Sequence, residues 1–394
     1  MKILYIHQYF KIPEEGGALR SYYLGKELVA AGIDVALITT HNKPYKEIRI
    51  IEGIKVYYLP IVYDNNFSYP KRLWSFFKFV LLAIRTSYEI KNVTCSYVMT
   101  TPLSTGFIAL YNKWMHGIPY IFEVGDLWPE VPIQMGVIKN YFLKSILSKL
   151  ERIFYKKSNG VIGLSIAITD HISKQVKNKP IETISNISDC DFFQQTQKDK
   201  GLKDELGITN ELIVSYTGTI GMANHLEFLL DAAEKVKELP LIFLIVGDGS
   251  EKYKIRMAIY NRKLDNVLLL PSTNKTGIKR VLDLSDAVYL SFQNIDILHT
   301  GSPNKLFDGL AAGTMIVSNL GGWTKDLIER NHVGIVYDPT TPDDFLGKIT
   351  PFLNDRNMLK LYQENARKLA ESEFSLKYLA NKQLNFIQHV ILDS

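Results

Sequence analysis

A cation and a carboxylate lie three residues apart in residues 302–313, a segment with the composition of a loop that becomes a short helix. Pro303 suits the first helical turn, where the N–H that proline lacks would have no partner. Lys305 and Asp308 then share one side of the helix. This pair suits a phosphorylated ligand, with phosphate at Lys305 and free N–H groups and a ribose diol at Asp308. A surface ion pair between the two side chains is the structural alternative.

Two glycine-rich loops follow apolar strand patterns in the second half of the chain. Residues 217–221 follow the predicted strand 212–216, and residues 247–250 follow the predicted strand 240–246. The carboxyl ends of parallel strands meet at one edge of a sheet, so we expect both loops to converge with the Lys305 segment. Backbone N–H groups and helix N-termini gathered in this way bind a diphosphate without a metal ion.

Gly16 and Gly17 lie between a predicted strand over residues 2–6 and a predicted helix over residues 18–31. With the next strand, over residues 35–39, these elements form one βαβ unit. Two glycines let a ligand approach the backbone closely, and a plain turn is the alternative. The spacing does not match G-x-G-x-x-G, so the sequence does not support a Rossmann dehydrogenase.

Asp126 follows the predicted strand 119–124, at the end where ligands bind in parallel α/β sheets. Trp128 and Pro129 provide rigid, apolar walls beside it. The functional interpretation is a carboxylate at the reacting centre, and the structural alternative is an N-cap of the next helix.

Two predicted helices of the first half carry many apolar residues, and the first of them is unusual in character. The helix over residues 71–88 mixes aromatic and basic side chains, which favours either contact with an anionic membrane interface or packing on the sheet. The helix over residues 141–156 has a periodicity that turns five residues inward, which are Leu143, Ile146, Leu147, Leu150 and Phe154.

The chain has 394 residues, which favours two domains, and the polar residues 188–204 are predicted to form the linker. A net charge of +5 is too weak to indicate nucleic-acid binding, but it is compatible with anionic substrates or an anionic membrane. Cys95 and Cys190 lack metal-site spacing and favour a reducing compartment. The sequence has no signal-peptide pattern and no run of about 20 apolar residues, so we expect a cytoplasmic protein.

The ordered set of motifs resembles the family 4 glycosyltransferases over essentially the full length of the chain. Residues 126–130 are similar to the D-L-W-P-E string of bacterial members that build O-antigen and capsule sugars. The motifs are residues 7–10 with Gly16–Gly17, residues 126–130, the Y-x-G-x-x-G loop 216–221, residues 247–249, Pro303-x-Lys305 and Gly321–Gly322.

The resemblance implies an α/β protein of the GT-B architecture, with two Rossmann-like domains whose parallel sheets face a central cleft. Residues 1–190 would bind the acceptor and residues 191–374 the nucleotide sugar, and a C-terminal helix in residues 375–394 would pack back on the first domain. It also implies retaining, metal-independent transfer of a hexosyl or N-acetylhexosaminyl group without a cofactor. The donor would be a nucleotide diphosphate sugar, UDP-linked, and the acceptor a glycan or lipid-linked saccharide. The pathway would make a bacterial surface polysaccharide, such as lipopolysaccharide O-antigen or capsule, at the cytoplasmic face of the inner membrane.

The resemblance also assigns roles to individual residues. Asp126 and Lys305 would be catalytic, and Trp128 and Glu130 would lie on the acceptor side. Donor-binding residues would be Gly16, Gly17, Gly218, Thr219, Gly221, Gly247, Gly249, Lys252, Asn304, Leu306 and Asp308.

This sequence departs from the family pattern at three points. Asp308 stands where a glutamate is usual, and Thr300 replaces the first acid of the usual pair. The Arg and Lys pair after the Y-x-G loop is absent, so Lys305, helped by Lys252, would have to neutralise the diphosphate. Two alternatives therefore stay open, a nucleotide-sugar 2-epimerase of the same fold and a nucleotide-sugar-binding scaffold with little turnover.

Overall fold

The structure, a computed structural model, describes residues 1–17, 19–64, 67–194, 200–209 and 211–392. The chain divides into two compact units, each built on one sheet. Unit 1 comprises Met1–Ser185, Thr300–Ser302 and Lys377–Ser394, and unit 2 comprises Asn186–His299 and Pro303–Leu376.

Fourteen strands, nearly all of them short runs of β-branched and aromatic residues, form the two sheets in the described part of the chain. They are β1 (Lys2–Ile6), β2 (Asp34–His41), β3 (Glu47–Ile51), β4 (Ile54–Pro60), β5 (Cys95–Met99), β6 (Tyr120–Val124), β7 (Gly160–Gly163), β8 (Ile181–Thr183), β9 (Leu212–Thr217), β10 (Leu241–Val246), β11 (Val267–Leu270), β12 (Ala287–Leu290), β13 (Met315–Ser318) and β14 (Gly334–Val336).

The helices cover the sheets. They are α1 (Arg20–Ala30), α2 (Tyr69–Glu89), α3 (Thr105–His116), α4 (Glu130–Gln134), α5 (Tyr141–Lys157), α6 (Ile166–Gln175), α7 (Lys200–Glu205), α8 (Glu227–Lys235), α9 (Lys252–Arg262), α10 (Lys275–Leu284), α11 (Asn304–Ala311), α12 (Gly322–Arg330), α13 (Asp344–Asn354), α14 (Arg356–Leu369) and α15 (Leu376–Leu392).

The sheet of unit 1 has the strand order β3-β4-β2-β1-β5-β6-β7-β8, and that of unit 2 has the order β11-β10-β9-β12-β13-β14. Every described pairing between these strands is parallel except that of the edge strand β3 with β4. Parallel neighbours need crossover connections, and helices supply them. The predicted α/β fold with two Rossmann-like units is therefore confirmed.

Helix α11 is held firmly against the sheet of unit 2. The side chains of Leu306, Phe307 and Leu310 are fully buried, in one apolar cluster with Val288 and Ile316. These contacts fix the N-terminus of the helix relative to the strands. The residues of its first turn are therefore presented by a rigid element.

The predicted linker is more structured than its polar composition indicates. Phe193 is 1% exposed and belongs to the core of unit 2, and the hydroxyl of Ser188 donates to the carbonyl of Phe307 at 2.9 Å. Residues 200–205 form α7. The prediction of a plain linker over 188–204 is therefore wrong for these residues, and its remaining part at 195–199 lies outside the described residues.

Candidate active site

Lys305 lies in the first turn of α11, close to two aromatic rings. Pro303 is the N-cap residue of this helix, and the buried side chain of Leu306 anchors it. The ammonium nitrogen Nζ of Lys305 is 3.9 Å from the ring centre of Tyr216 and 5.5 Å from that of Phe292. A cation close to an aromatic face is stabilised by the ring without an anion.

The charge of Lys305 is not neutralised within the described residues. No carboxylate lies within ion-pair distance of it there, so the surface ion pair with Asp308 that was the structural alternative is not formed. Burial lowers the pKa of Lys305 from its ordinary value to about 7, because the protein removes water from the charged form. A bound anion would stabilise that charge, so Lys305 is suited to bind a phosphate.

Gly218, which follows β9, lies directly against Lys305. Its φ of +140° is in a region that favours glycine. A Cβ atom at this position would lie 3.4 Å from both Cε and Nζ of Lys305. A side chain here would therefore occupy the space beside the ammonium group, where an anion has to approach.

Gly247 and Gly249 hold the second glycine loop against the first. A Cβ at Gly247 would lie 1.9 Å from the carbonyl oxygen of Gly218, and a Cβ at Gly249 would lie 2.3 Å from that of Ile220. The amide of Ile220 donates to the carbonyl of Asp248 at 2.8 Å. The structure therefore brings the two loops and Lys305 together, as the positions of their strands led us to expect.

The loop amides differ in what they can offer a ligand. The amides of Gly218 and Ile220 are already engaged, the first with the carbonyl of Val246 at 2.9 Å. Those of Thr219 and Gly221 have no acceptor among the residues described. Only these two of the four loop amides are therefore available for a phosphate as the loop stands.

Three further predicted donor-binding residues lie nearby in sequence but differ in availability. The ammonium group of Lys252 is 3.6 Å from the carboxylate of Asp248, which partly neutralises it. Asn304 is exposed in the first turn of α11. Leu306 is fully buried, and its amide donates to the carbonyl of Pro303 at 3.0 Å. Leu306 thus supports the helix and leaves the ligand contacts to its neighbours.

Among the described residues, the charged neighbours of Asp308 are Lys275 and Asp189, and Lys305 is not one of them. Lys275, at the start of α10, forms an ion pair with Asp189. Burial raises the pKa of the Asp308 carboxyl to about 7, the nearby Lys275 ammonium opposes this rise, and the Asp189 carboxylate adds to it. Sequence reasoning missed this arrangement because Asp189 and Lys275 are 86 residues apart in the chain.

His299 is another residue that sequence reasoning missed. It lies in the 3-10 helix Asp296–Thr300 and packs on Gly321, where a Cβ would come within 3.0 Å of its Nδ1. Its Nε2 is buried without a hydrogen-bond partner among the described residues, and burial lowers its pKa. The motif pair Gly321–Gly322 was the available signal, since a glycine there indicates a close neighbour.

Gly16 and Gly17 in unit 1 follow the 3-10 helix Pro13–Glu15 with φ of +67° and +92°. Both angles favour glycine. A Cβ at Gly16 would meet nothing within 4 Å, and one at Gly17 would lie 3.8 Å from Cγ of Lys11. Backbone conformation rather than crowding therefore requires these glycines, and the turn leaves space beside its backbone.

Asp126 follows β6, and its carboxylate has no hydrogen-bond partner in the part of the chain that the structure describes. It does not cap α4, because the N-cap residue of that helix is Pro129. Its side chain is exposed, and the protein mass around it still raises its pKa by desolvation. Trp128 is half-buried, and Glu130 accepts a hydrogen bond from Gln134 at 2.8 Å.

A buried ion pair supports the strand that carries Asp126. The guanidinium of Arg20 donates from Nε and Nη2 to the two carboxylate oxygens of Glu123 at 2.9 and 3.0 Å. The hydroxyl of Tyr97 also donates to Glu123, and Arg20 donates to the carbonyl of Ser185. Bidentate geometry and two further hydrogen bonds offset the cost of burying both charges.

Two family models match the chain one after the other. The model for Glycosyltransferase Family 4 matches residues 15–192, and the model for glycosyl transferases group 1 matches residues 198–369. The first contains Asp126 and the second contains the Lys305 site. The chain is a glycosyltransferase with the GT-B fold.

Two curated glycosyltransferases are similar to this GT-B glycosyltransferase in sequence. The uncharacterized glycosyltransferase MJ1069 of Methanocaldococcus jannaschii is 20% identical over 356 residues, which are 87% of each chain. WcaI of Escherichia coli K12, named as a colanic acid biosynthesis glycosyl transferase, is 28% identical over 166 residues, covering 39% of this chain and 40% of WcaI.

Solved structures share its fold across the full length. Sucrose-phosphate synthase from Thermosynechococcus elongatus superposes with a TM-score of 0.81 at 15% identity, with all of both chains covered. HepE from Anabaena in complex with UDP superposes with a TM-score of 0.75 at 16% identity, covering 99% of this chain and 100% of HepE. At these identities the similarity establishes the fold.

None of the helices in the described residues combines the length and the apolar character needed to cross a bilayer. No group of three or more His, Cys, Asp or Glu side chains among these residues is arranged to hold a metal ion.

Proposed function

We propose that this glycosyltransferase transfers a hexosyl or N-acetylhexosaminyl group from a UDP-sugar to a lipid-linked or saccharide acceptor, with retention of configuration and without a metal ion. The observation that carries the proposal is Lys305, an uncompensated cation that lies against Gly218. A diphosphate carries two negative charges, and a lysine ammonium group together with free backbone amides binds such charges.

Transfer breaks the bond between the anomeric carbon and the diphosphate, so negative charge grows on the leaving oxygen. Lys305 and the free amides of Thr219 and Gly221 stabilise that charge as it develops. The acceptor oxygen forms the new bond, and its proton passes to the departing phosphate on the same face. Asp126 orients the sugar and the acceptor hydroxyl from unit 1.

Further residues are proposed to contact the donor. The Asp308 carboxylate accepts hydrogen bonds from the ribose diol, and Lys252 and Asn304 assist at the phosphates. Gly16 and Gly17 contribute backbone from the acceptor-binding domain, residues 1–190. Residues 191–374 bind the donor, and the final helix in residues 375–394 supports the first domain.

The comparisons support a UDP-sugar donor and a polysaccharide product. Three structures of HepE contain UDP, UDP with glucose, and UDP-glucose, respectively. WcaI carries the name of an enzyme of colanic acid biosynthesis. The proposed pathway is therefore bacterial surface polysaccharide synthesis, of the O-antigen or capsule kind. The acceptor is held at the cytoplasmic face of the inner membrane, to which the enzyme binds peripherally.

A thermal-shift screen with a panel of nucleotide sugars tests donor binding, because a ligand of the native state raises its apparent stability. We expect a UDP-sugar to give the largest shift and Lys305→Ala to weaken its binding roughly 10- to 150-fold, as expected for one charge-assisted contact. Lys325→Ala, at a half-exposed lysine of α12 with only an exposed partner, is the matched control. Equal binding by wild type and Lys305→Ala would refute the assignment.

Product analysis by NMR then distinguishes the chemistry. A glycosidic product with the donor's anomeric configuration supports retaining transfer. An epimerised sugar that forms without acceptor would instead identify the 2-epimerase, and tight binding with no nucleotide release under any acceptor would identify a scaffold.

A further inference from the structure

Three neighbouring helices of unit 1, α2, α3 and α5, expose a large share of the protein's apolar surface. Helix α3 packs against both of the others. Of the 27 large hydrophobic side chains that are exposed in the described residues, 13 lie on these three helices. The helices contain only 50 of the 394 residues, so the exposed apolar side chains are concentrated on three adjacent helices of the unit. Such a concentration on a folded surface marks an interaction site.

Helix α5 has two apolar sides, of which only one is covered. Phe154 and Tyr155 are buried on the core side. Phe142, Ile146 and Ile153 are 74%, 39% and 40% exposed, and their spacing places them together on the opposite side. The prediction that Ile146 and Leu143 face the core is therefore wrong, since Leu143 is also 45% exposed. A second apolar stripe without a partner has to be explained by something outside the unit.

Helix α2 shows the same arrangement. Phe79 and Ala83 are fully buried against the unit, while Leu73, Phe77 and Leu81 repeat every four residues on the outside and are all more than half exposed. Trp74 stacks on Phe77 with ring centres 5.7 Å apart, and the ammonium group of Lys78 lies 5.6 Å from the Trp74 ring. Aromatic rings beside lysines are typical of helices that lie in a membrane interface.

The three helices also have a larger net positive charge than the whole chain. They contain ten Lys and Arg residues and two Glu residues, a net charge of +8. The whole chain has a net charge of +5, so the remainder has a net charge of −3. One glutamate, Glu151, is buried, and the other, Glu89, pairs with Lys46. The exposed apolar side chains therefore lie within a strongly basic surface.

We propose that the outward face of α2, α3 and α5, which we call the basic apolar face, docks this enzyme on an anionic lipid bilayer. The proposal rests on the proposed function only in that a lipid-linked acceptor needs such docking. A second copy of the chain would bring +8 against +8 in a symmetric contact, which like-charge repulsion disfavours. An anionic bilayer accepts both features, because apolar side chains enter the interface and lysines meet the headgroups.

Co-sedimentation with vesicles of phosphatidylcholine alone, and of phosphatidylcholine with phosphatidylglycerol, tests the docking. We expect wild type to bind the anionic vesicles more tightly and to lose affinity as salt is raised. Phe142→Ser with Ile146→Ser should reduce this binding at least tenfold. Tyr253→Ser with Tyr260→Ser is the matched control, since both tyrosines are more than 70% exposed on α9 in unit 2.

Charge reversal tests the electrostatic contribution separately. Lys149 and Arg152 are exposed on α5, and each basic residue near an anionic surface contributes roughly fivefold. Lys149→Glu with Arg152→Glu should therefore weaken binding about 25-fold or more, whereas Lys237→Glu with Lys360→Glu, at exposed sites of unit 2, should weaken it less. No binding of wild type to anionic vesicles would overturn the proposal. Equal losses in test and control variants would also overturn it.

Two further measurements separate this proposal from the proposed function. UDP-sugar thermal shift should be unchanged in all four double variants, which also shows that they are folded. Vesicle binding without any UDP-sugar shift in wild type would refute the donor assignment and leave the docking surface intact. A wild-type dimer that Phe142→Ser with Ile146→Ser dissociates would overturn the bilayer in favour of a second copy.

Discussion

The pH dependence of donor binding is the sharpest test of the site, because Lys305 and Asp308 both titrate near neutrality in the unliganded protein. Their pKa values are about 7 for each, the lysine lowered and the carboxyl raised by burial. The proposed complex needs Lys305 charged at the diphosphate and Asp308 ionised at the ribose diol. Raising the pH above 7 removes the charge of Lys305, and lowering it below 7 protonates Asp308. Donor affinity should therefore pass through a maximum near pH 7.

The magnitude follows from the two titrations. At pH 7 each group is half in its binding form, and at pH 8.5 only about 3% of Lys305 remains charged while nearly all of Asp308 is ionised. The product of the two fractions falls roughly eightfold between pH 7 and pH 8.5, and by the same factor down to pH 5.5. Each limb approaches a tenfold loss per pH unit. The diester phosphates of a nucleotide sugar stay ionised throughout, so the ligand adds no titration of its own.

Isothermal titration calorimetry with the best UDP-sugar across this range measures the profile, and two variants assign its limbs. Lys305→Gln should abolish the alkaline limb and leave the acid one. Asp308→Asn should abolish the acid limb and leave the alkaline one. An affinity that is flat from about pH 5.5 to pH 8.5, or limbs that survive their variants, would refute the roles given to these residues.

The same shifts predict the stability of the unliganded protein. The pKa of Lys305 is about 7 in the folded protein and 10.5 in the unfolded chain. Below pH 7 both states carry the charge, and burying it in the folded state lowers the free energy of unfolding. This cost disappears as the pH rises from 7 toward 10.5, because the folded state then releases the proton. Lys305→Met should therefore stabilise the unliganded protein by a few kcal/mol at pH 7. Chemical denaturation measures this, and a less stable variant would contradict the burial argument. The proposed role of Lys305 and the stability of the unliganded protein would then favour different residues at this position, as is expected for a functional site.

Three other predictions concern single positions. Asp126→Asn should remove most transfer in a radiolabelled-sugar assay while the donor thermal shift is retained, since the Asp126 carboxylate has no hydrogen-bond partner in the described residues and its replacement should leave the fold intact; normal transfer would contradict its role. Gly247→Ala should weaken donor binding strongly and lower the Tm, because its Cβ would fall 1.9 Å from the carbonyl oxygen of Gly218; unchanged calorimetry would argue against a tight loop contact. Arg20→Met should lower the free energy of unfolding in urea by about 3–5 kcal/mol, because it leaves the Glu123 carboxylate buried and unpaired. A loss of under about 1 kcal/mol would show that this carboxylate is rehydrated or protonated.

Most strands could be predicted because their apolar runs are continuous and their ends are marked by glycine and polar residues. One exception is β3, Glu47–Ile51, where exposed apolar and charged residues alternate at a sheet edge. An edge strand buries little, so its isoleucines are interrupted by charged residues and do not form the continuous apolar run that marks the other strands. Periodicity alone also cannot say what covers an apolar side chain. This is why Leu143 and Ile146 were placed in the core when they are exposed.

The residues of the candidate site that neighbouring sequence marks could be predicted. Those whose role depends on residues far away in the chain were missed. The glycines and Lys305 have recognisable neighbours in sequence, so the approach of Gly218 to Lys305 could be expected from strand order. Arg20 and Glu123 are 103 residues apart, and nothing local marks either as half of a buried pair. The ion pair that flanks Asp308 was missed for the same reason.

The departures from the family pattern leave this site with few cations for a diphosphate. The usual Arg and Lys pair after the Y-x-G loop is absent, and of the two lysines left to replace it, Lys252 is partly neutralised by Asp248. In the proposed complex, diphosphate binding would therefore depend mainly on Lys305. With a single titrating cation, the alkaline limb of donor binding should follow one proton, and adding a cation should flatten it. Thr219→Arg, which places an always-charged group in the loop beside Gly218, tests this directly. It should raise affinity most at alkaline pH, where Lys305 is neutral. An equal gain at every pH would mean that Lys305 does not limit binding.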